Sequence, residues 1–313
     1  MYLVTGGGGF IGSHMIEYLL GKGEEVRVLD DFSTGRESNI ARFAGRFELV
    51  RGSLLDEETL RTAVAGCGRI IHLGAIPSVP RSINNPIATN DANVRGTLNL
   101  LIAARDLGAK RIVIASSSSV YGDSPTLPKV ETMPTNPKSN YAASKLICEH
   151  YARVFDTVFG LQTVCIRCFN VFGPRQDPNS EYAAVIPKFI KLIRAGKRPV
   201  ITGDGLQTRD FTYVENVVNA MHLAATAPAP PQALVCNVAC GSRISLIGLT
   251  QLINNILGTS VDPEFADARP GDVKHSLADI SLARGAIGYE PVVDLETGLR
   301  RTADYYLNNE NES

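Results

Sequence analysis

The sequence predicts a doubly wound parallel α/β sheet of the Rossmann type with a smaller C-terminal substrate lobe. Three observations carry this: strand and helix patterns alternate through the first half, a glycine-rich turn follows the first strand, and an acid ends the second. Such alternation builds a parallel sheet with right-handed crossovers, which places ligands at the carboxyl ends of the strands.

The first strand, 2–5, is the apolar run Tyr2-Leu3-Val4. It breaks into Gly6, Gly9 and Gly12, and Ile11, Met15, Ile16, Leu19 and Leu20 then mark a helix over 11–22. Strand, turn and helix in that order aim the first backbone N–H groups of the helix at a pyrophosphate. Glycine serves where a side chain would block the phosphate or the close helix–strand contact. Eighteen residues past Gly12, a second strand (25–30) ends in Asp30, whose carboxylate can hydrogen-bond the adenosine ribose hydroxyls. That charge repels a 2′-phosphate, so NAD is favoured over NADP. Arg36 could accept such a phosphate, but a solvated surface charge is its simpler role.

Further strands fall at 47–51, 69–73, 111–116 and 162–168, separated by helices near 57–65, 88–107 and 141–159. After about residue 170 prolines, glycines and shorter elements take over. The expected division is a dinucleotide domain over 1–170 and mainly a substrate lobe over 171–313, with segments near 210–240 returning to the first.

The 313 residues are 44% hydrophobic and 20% charged with a net charge of −1, so no basic field favours nucleic acid. No apolar run approaches the ~20 residues of a membrane span. A first strand starting at residue 2 leaves no room for a signal peptide. The six cysteines lack paired metal spacing and lie largely in apolar runs, so no metal site is expected and the expected address is the cytosol.

Tyr141-Ala-Ala-Ser-Lys145 opens the helix at 141–159, and its spacing puts Tyr141 and Lys145 on one helical face. An ammonium beside a phenol, with a cationic nicotinamide near, lowers the phenol pKa toward neutrality. The phenol can then exchange a proton with a sugar hydroxyl while hydride moves. Taken alone, the pair also fits an amphipathic helix with a half-buried Tyr and a solvated Lys. The strand end Ala115-Ser-Ser-Ser-Ser-Val-Tyr-Gly122 could supply a hydroxyl to the same substrate oxygen, although some of these serines serve only backbone groups.

Together, Thr5-Gly-Gly-x-Gly-Phe-Ile-Gly12, Ser-Ser-Ser-Ser-Val-Tyr-Gly122, Tyr-x-x-x-Lys145, Arg167-Cys-Phe-Asn-Val-Phe-Gly-Pro174 and Gly203-Asp-Gly-x-Gln-Thr-Arg-Asp-Phe211 resemble the extended short-chain dehydrogenase/reductase family. The resemblance runs from residue 1 to about 300 and is strongest to UDP-hexose 4-epimerases. Ser78-Val-Pro-Arg-Ser82, Tyr182-Ala-Ala-Val-Ile-Pro-Lys188 and Gly271-Asp-Val-Lys-His-Ser-Leu-Ala-Asp279 resemble the UDP-N-acetylglucosamine subgroup.

The resemblance implies Ser117 as the catalytic hydroxyl, with Ser118 as the alternative if the register slips by one. Tyr141 is then the base, and Lys145 tunes it and binds the ribose. For NAD it implies Gly6, Gly9, Phe10, Ile11, Gly12, Asp30, Asp31, Ser33, Thr34, Gly35, Ser53, Leu54, Leu73, Ala75, Asn93 and Lys145. For the UDP-sugar it implies Ser78, Ser117, Ser118, Asn170, Ala184, Val185, Arg209, Arg269, Asp272 and Ser276. Arginine suits the diphosphate because its planar fork makes bidentate contacts. Three positions depart from the family pattern: Ser53 stands for an Asp facing the adenine, Gly74 for an Ala and Cys168 for a Tyr.

Related dehydratases carry an acid and a base directly after the catalytic hydroxyl, and related decarboxylases a Glu. This chain has Ser118-Ser119, which cannot exchange protons as acid or base near neutrality. Epimerisation at C4 of a UDP-hexose through a transient 4-keto sugar is the expectation. The resemblance puts Ser276 at the family position that gates the C2 side of the hexose, where a serine leaves room, and so favours UDP-GlcNAc/UDP-GalNAc with some UDP-Glc/UDP-Gal activity. A homodimer through helices 88–107 and 141–159 follows by analogy. The alternatives are a dehydratase or decarboxylase of the same family and a non-catalytic nucleotide-sensing Rossmann protein, although the intact Tyr/Lys pair weighs against the latter.

Overall fold

The computed structural model describes residues 1–177, 184–228, 230–267 and 274–309. Its centre is a seven-stranded parallel sheet: β1 (Tyr2–Thr5), β2 (Val26–Asp30), β3 (Glu48–Arg51), β4 (Arg69–His72), β5 (Arg111–Ser117), β6 (Gln162–Cys168) and a last strand, Leu234–Val238. Across the sheet the order is β3-β2-β1-β4-β5-β6 and then Leu234–Val238. Strand order reverses between β1 and β4, and ligands bind at such a switch point, beyond the carboxyl ends of the strands. The last strand pairs with β6 in register from Val164 to Cys168.

Strand alternation sends side chains into two cores. Tyr2, Val4 and Val28 join Met15, Ile16 and Leu19 of helix Phe10–Gly21 and Val214, Val217 and Met221 of helix Val214–Thr226. Leu3, Leu29, Ile70 and Ile112 face the other way, onto Leu60, Leu100, Leu101 and Phe155. With both faces covered, the strands read as continuous apolar runs rather than as alternating ones.

Two glycines show how closely the first turn is built. Gly6 has φ +71°, and a Cβ there would meet the Gly74 nitrogen at 2.7 Å. A Cβ on Gly12 would stand 2.1 Å from the Gly6 carbonyl oxygen. Any side chain at either position must push the β1 turn out of shape.

The helix expected at 88–107 is three pieces: Pro86–Asn90, a π-turn Asp91–Arg95, and Gly96–Asp106. A π-turn shifts the hydrogen-bond register by one residue, which hydrophobic spacing alone does not report. Helix Asn140–Phe159 is continuous; Ser139 caps its start by accepting from Ala142 N–H, and left-handed Gly160 (φ +72°) ends it. Outside the large sheet, the described residues after 170 also form helices Val185–Arg194, Val214–Thr226, Leu246–Leu257, Ser281–Ile287 and Leu295–Asn308 with three short strand pairs. No helix among the described residues is long and apolar enough to cross a membrane.

Candidate active site

A cavity of about 890 Å³ opens along the carboxyl ends of β1, β2, β4, β5 and β6. Gly6, Gly9, Phe10, Ile11 and Gly12 form one end of its wall, continued by Asp30, Asp31, Ser33, Thr34, Gly35, Ser53, Leu54, Leu73 and Ala75. Ser78, Ser117, Ser118, Tyr141, Lys145, Asn170 and Ala184 line the other part. Residues from eight separate stretches of chain thus line one cavity. Asn93, Val185, Arg209 and Ser276 are not among the described residues on the wall, and Arg269 and Asp272 lie outside the described residues.

The glycine end fits a pyrophosphate. Helix Phe10–Gly21 starts at Gly9 without a side-chain cap, so its N-terminal end faces the cavity with its dipole available to an anion. Asp30 is buried, and its two oxygens accept the backbone N–H of Gly8 and of Phe32, each at 2.7 Å. Each carboxylate oxygen has a further lone pair, so bracing the turn leaves Asp30 able to take a ribose hydroxyl. Burial pushes its carboxyl up, and the two backbone bonds oppose this. Ser53 Oγ accepts from Leu55 N–H at 3.2 Å.

Asn93 sits in the π-turn just behind the wall. Its amide oxygen accepts Ile76 N–H at 2.7 Å, and its nitrogen donates to Ile76 O at 3.3 Å and to Ser144 Oγ at 3.0 Å. It therefore ties the segment after β4 to the helix carrying Tyr141. Below it His72 is buried between the hydroxyls of Thr5 (2.7 Å) and Thr97 (2.8 Å), and burial lowers its pKa to about 3.

The Tyr141 backbone N–H donates to Ser82 Oγ at 3.1 Å, which fixes the first turn of its helix. Lys145 Nζ donates to Ala115 O at 2.9 Å and stands 5.9 Å from the Tyr141 ring centroid. Burial pushes the Tyr141 phenol up to about 12, with Ser117 acting in the opposite direction, and burial lowers Lys145. Burial is the largest influence on the phenol, and Ser117 rather than Lys145 is the protein group that acts against it. Ser117 Oγ is held from the far side by the Ser119 hydroxyl (2.9 Å) and N–H (3.2 Å).

On the lobe side, Asn170 adopts φ +35°, rare for a residue with a side chain, and donates to Asp210 O at 2.8 Å and Ser276 Oγ at 3.3 Å. Ser276 thus stands behind Asn170, and Arg209 donates to Thr208 O at 3.0 Å and to Lys274 O at 3.3 Å. Two further wall residues bear on the site. Arg175 (φ +66°) braces His14 and Glu17 of the first helix, and Asp177 pairs with Arg36 from the β2 side. The pair gives Arg36 a carboxylate partner, which its sequence context does not reveal.

The NAD dependent epimerase/dehydratase family model matches residues 2–239. The chain belongs to that family. NAD is its cofactor. A UDP-glucose 4-epimerase of Mycolicibacterium smegmatis is 38% identical over 98% of each chain. The solved UDP-N-acetylglucosamine 4-epimerase of Methanobrevibacter ruminantium, in complex with UDP-N-acetylmuramic acid, is 40% identical with a TM-score of 0.94 over 98% of each chain. The Thermus thermophilus UDP-glucose 4-epimerase, solved with NAD, is 34% identical with a TM-score of 0.87 over 98% of each.

Proposed function

We propose that the chain interconverts the C4 epimers of UDP-hexoses, with UDP-GlcNAc/UDP-GalNAc preferred and UDP-Glc/UDP-Gal also turned over. The observation that carries this is the meeting of Ser117, Tyr141 and Lys145 in one cavity with the glycine cradle, while Ser118 and Ser119 leave the next two positions without an acid. A dehydratase or decarboxylase needs that acid, so proton exchange at one carbinol oxygen is the chemistry these residues support.

Gly6 to Gly12, Asp30, Asp31 and Lys145 hold the dinucleotide on this reading. Bound NAD supplies a reversible hydride acceptor and a positive charge beside the phenol. Ser117 orients the substrate O4, Tyr141 takes and returns its proton, and the N-terminal end of the Tyr141 helix favours the phenolate. Asn170, Arg209, Arg269 and Asp272 anchor the nucleotide diphosphate, leaving the pyranose free to present either face. Residues 1–170 with the returning segments near 210–240, helix Val214–Thr226 and strand Leu234–Val238, form the cofactor domain, and most of the rest of 171–313 forms the sugar lobe. Incubation with UDP-Glc and with UDP-GlcNAc, resolving the products by chromatography, tests the activity. No C4 epimer from either sugar overturns it.

Ser276, touching Asn170, sits at the C2 side of the hexose on this reading. Ser276→Tyr is expected to cut kcat/KM for UDP-GlcNAc at least tenfold more than for UDP-Glc. Equal losses on the two sugars remove the steric account.

The active unit is a homodimer. Ile83, Ile87, Ile102, Ile147, Val154, Val158 and Phe159 are all exposed on neighbouring helices, and 147, 154 and 158 form one stripe along helix Asn140–Phe159. A second copy of the same face covers it. The double variant Ile147→Glu/Val154→Glu is expected to sediment as a monomer where the parent sediments as a dimer, and identical sedimentation of the two sinks the interface.

A further inference from the structure

Helix Asn140–Phe159 carries Tyr141, Lys145 and Glu149 at intervals of four, so the three stack along one face. Tyr141 and Lys145 line the cavity, whereas Glu149 lies behind it with 5% of its surface exposed. Its carboxylate has three donors. Arg167 reaches it with Nε at 2.9 Å and a terminal nitrogen at 2.7 Å, and the Ser116 hydroxyl donates to the oxygen that Nε holds. Ser116 and Arg167 are partners in register across β5 and β6, and the next pair is Ser117 and Cys168. One carboxylate therefore joins the Tyr141 helix to the two strand ends that carry Ser117 and Cys168 to the wall. Arg167 is held in turn: its guanidinium lies 4.8 Å from the Tyr121 ring centroid, and the Tyr121 hydroxyl donates to Asn237 at 2.7 Å.

Stability alone is a weak reason for such a pair. Desolvating two charges offsets most of their attraction, and apolar residues of equal volume often serve as well or better. An apolar contact would let the helix slide along the strands, whereas a guanidinium fork on a carboxylate fixes distance and orientation together. Proton transfer depends on such placement: a shift of about 1 Å at a reacting group can cost about a hundredfold in rate.

We propose that Glu149 and Arg167 are positioning residues which, with Ser116, set the height of the Tyr141–Lys145 face against Ser117 so that both hydroxyls meet one substrate oxygen. This rests on the reading of Tyr141 as the proton-transfer group. Glu149→Gln keeps the shape but loses the charge, and Ser116→Ala removes a single donor. In each, kcat per NAD-loaded enzyme is expected to fall, at least tenfold in Glu149→Gln and at least threefold in Ser116→Ala. KM for the UDP-sugar and the NAD content should stay within twofold. A purely structural role would lower the melting temperature and the folded fraction and leave kcat per loaded enzyme as it was. Unchanged kcat in Ser116→Ala overturns the proposal, and that variant decides alone if Glu149→Gln fails to fold. The parent and Tyr141→Phe belong in the same assay. An inactive parent or an active Tyr141→Phe brings down the catalytic reading and this inference together. An active parent, an inactive Tyr141→Phe and an unimpaired Ser116→Ala bring down this inference only.

Discussion

Tyr141→Phe is expected to lower kcat for C4 interconversion by about a thousandfold, while NAD stays bound and the fold is kept. The magnitude follows from the role. Positioned general acid–base groups contribute about 10²–10⁴-fold, and a thousandfold corresponds to about 4 kcal/mol of barrier. Phenylalanine keeps the ring in its buried place and removes only the oxygen that exchanges the proton. The Tyr141 backbone N–H still donates to Ser82, and Lys145 still donates to Ala115 O, so neither the helix start nor the lysine loses its partner. Stopped turnover with full NAD content is the expected pairing of readouts. Turnover within a few fold of the parent would remove Tyr141 from the reaction.

The second large effect is on stability in acid. His72 ends β4 with 2% exposure and both ring nitrogens engaged by threonine hydroxyls, and its pKa falls from 6.5 to about 3. The unfolded chain takes up a proton near pH 6.5 that the folded chain refuses. A depressed folded pKa means the contribution is complete above pH 6.5 and is lost as the pH falls from there toward 3. The expected slope from this residue is about 1.4 kcal/mol per pH unit. His14, lowered to about 3 by burial and by Arg175, adds loss of the same sign. Urea titrations at pH 7 and pH 5 measure this. His72→Asn should remove its share of the pH dependence even though it lowers stability at pH 7. An unaltered slope would falsify the assignment of a neutral buried His72.

Much of the fold was legible because its signals are local. A four- to seven-residue apolar run, a glycine turn and a 3.6-residue period each lie within one element. The strands at 2–5 and 162–168 accordingly have the bounds expected, and helix 141–159 lies within one residue of them. The helix expected at 88–107 differs because its π-turn satisfies Asn93, whose partners Ile76 and Ser144 lie far off in sequence. The glycine cradle, Asp30, Ser117, Tyr141 and Lys145 were readable as motifs. The bracing beneath them was not, because Glu149 and Arg167 lie 18 residues apart and meet only once helix Asn140–Phe159 packs on β6.

Sequence by itself determined the family and the dinucleotide and nominated the residues proposed for the chemistry, because glycine where no side chain fits and Tyr and Lys one turn apart are chosen by backbone geometry and reactivity within a few residues. Tertiary structure alone decided what those residues experience. Desolvation raises the Tyr141 phenol, a strand pairing brings Ser116 and Arg167 onto Glu149, and Asn170 stands between Ser276 and the cavity. Each of these depends on which distant atoms exclude water or come within hydrogen-bonding reach, and only the packed chain brings those atoms together.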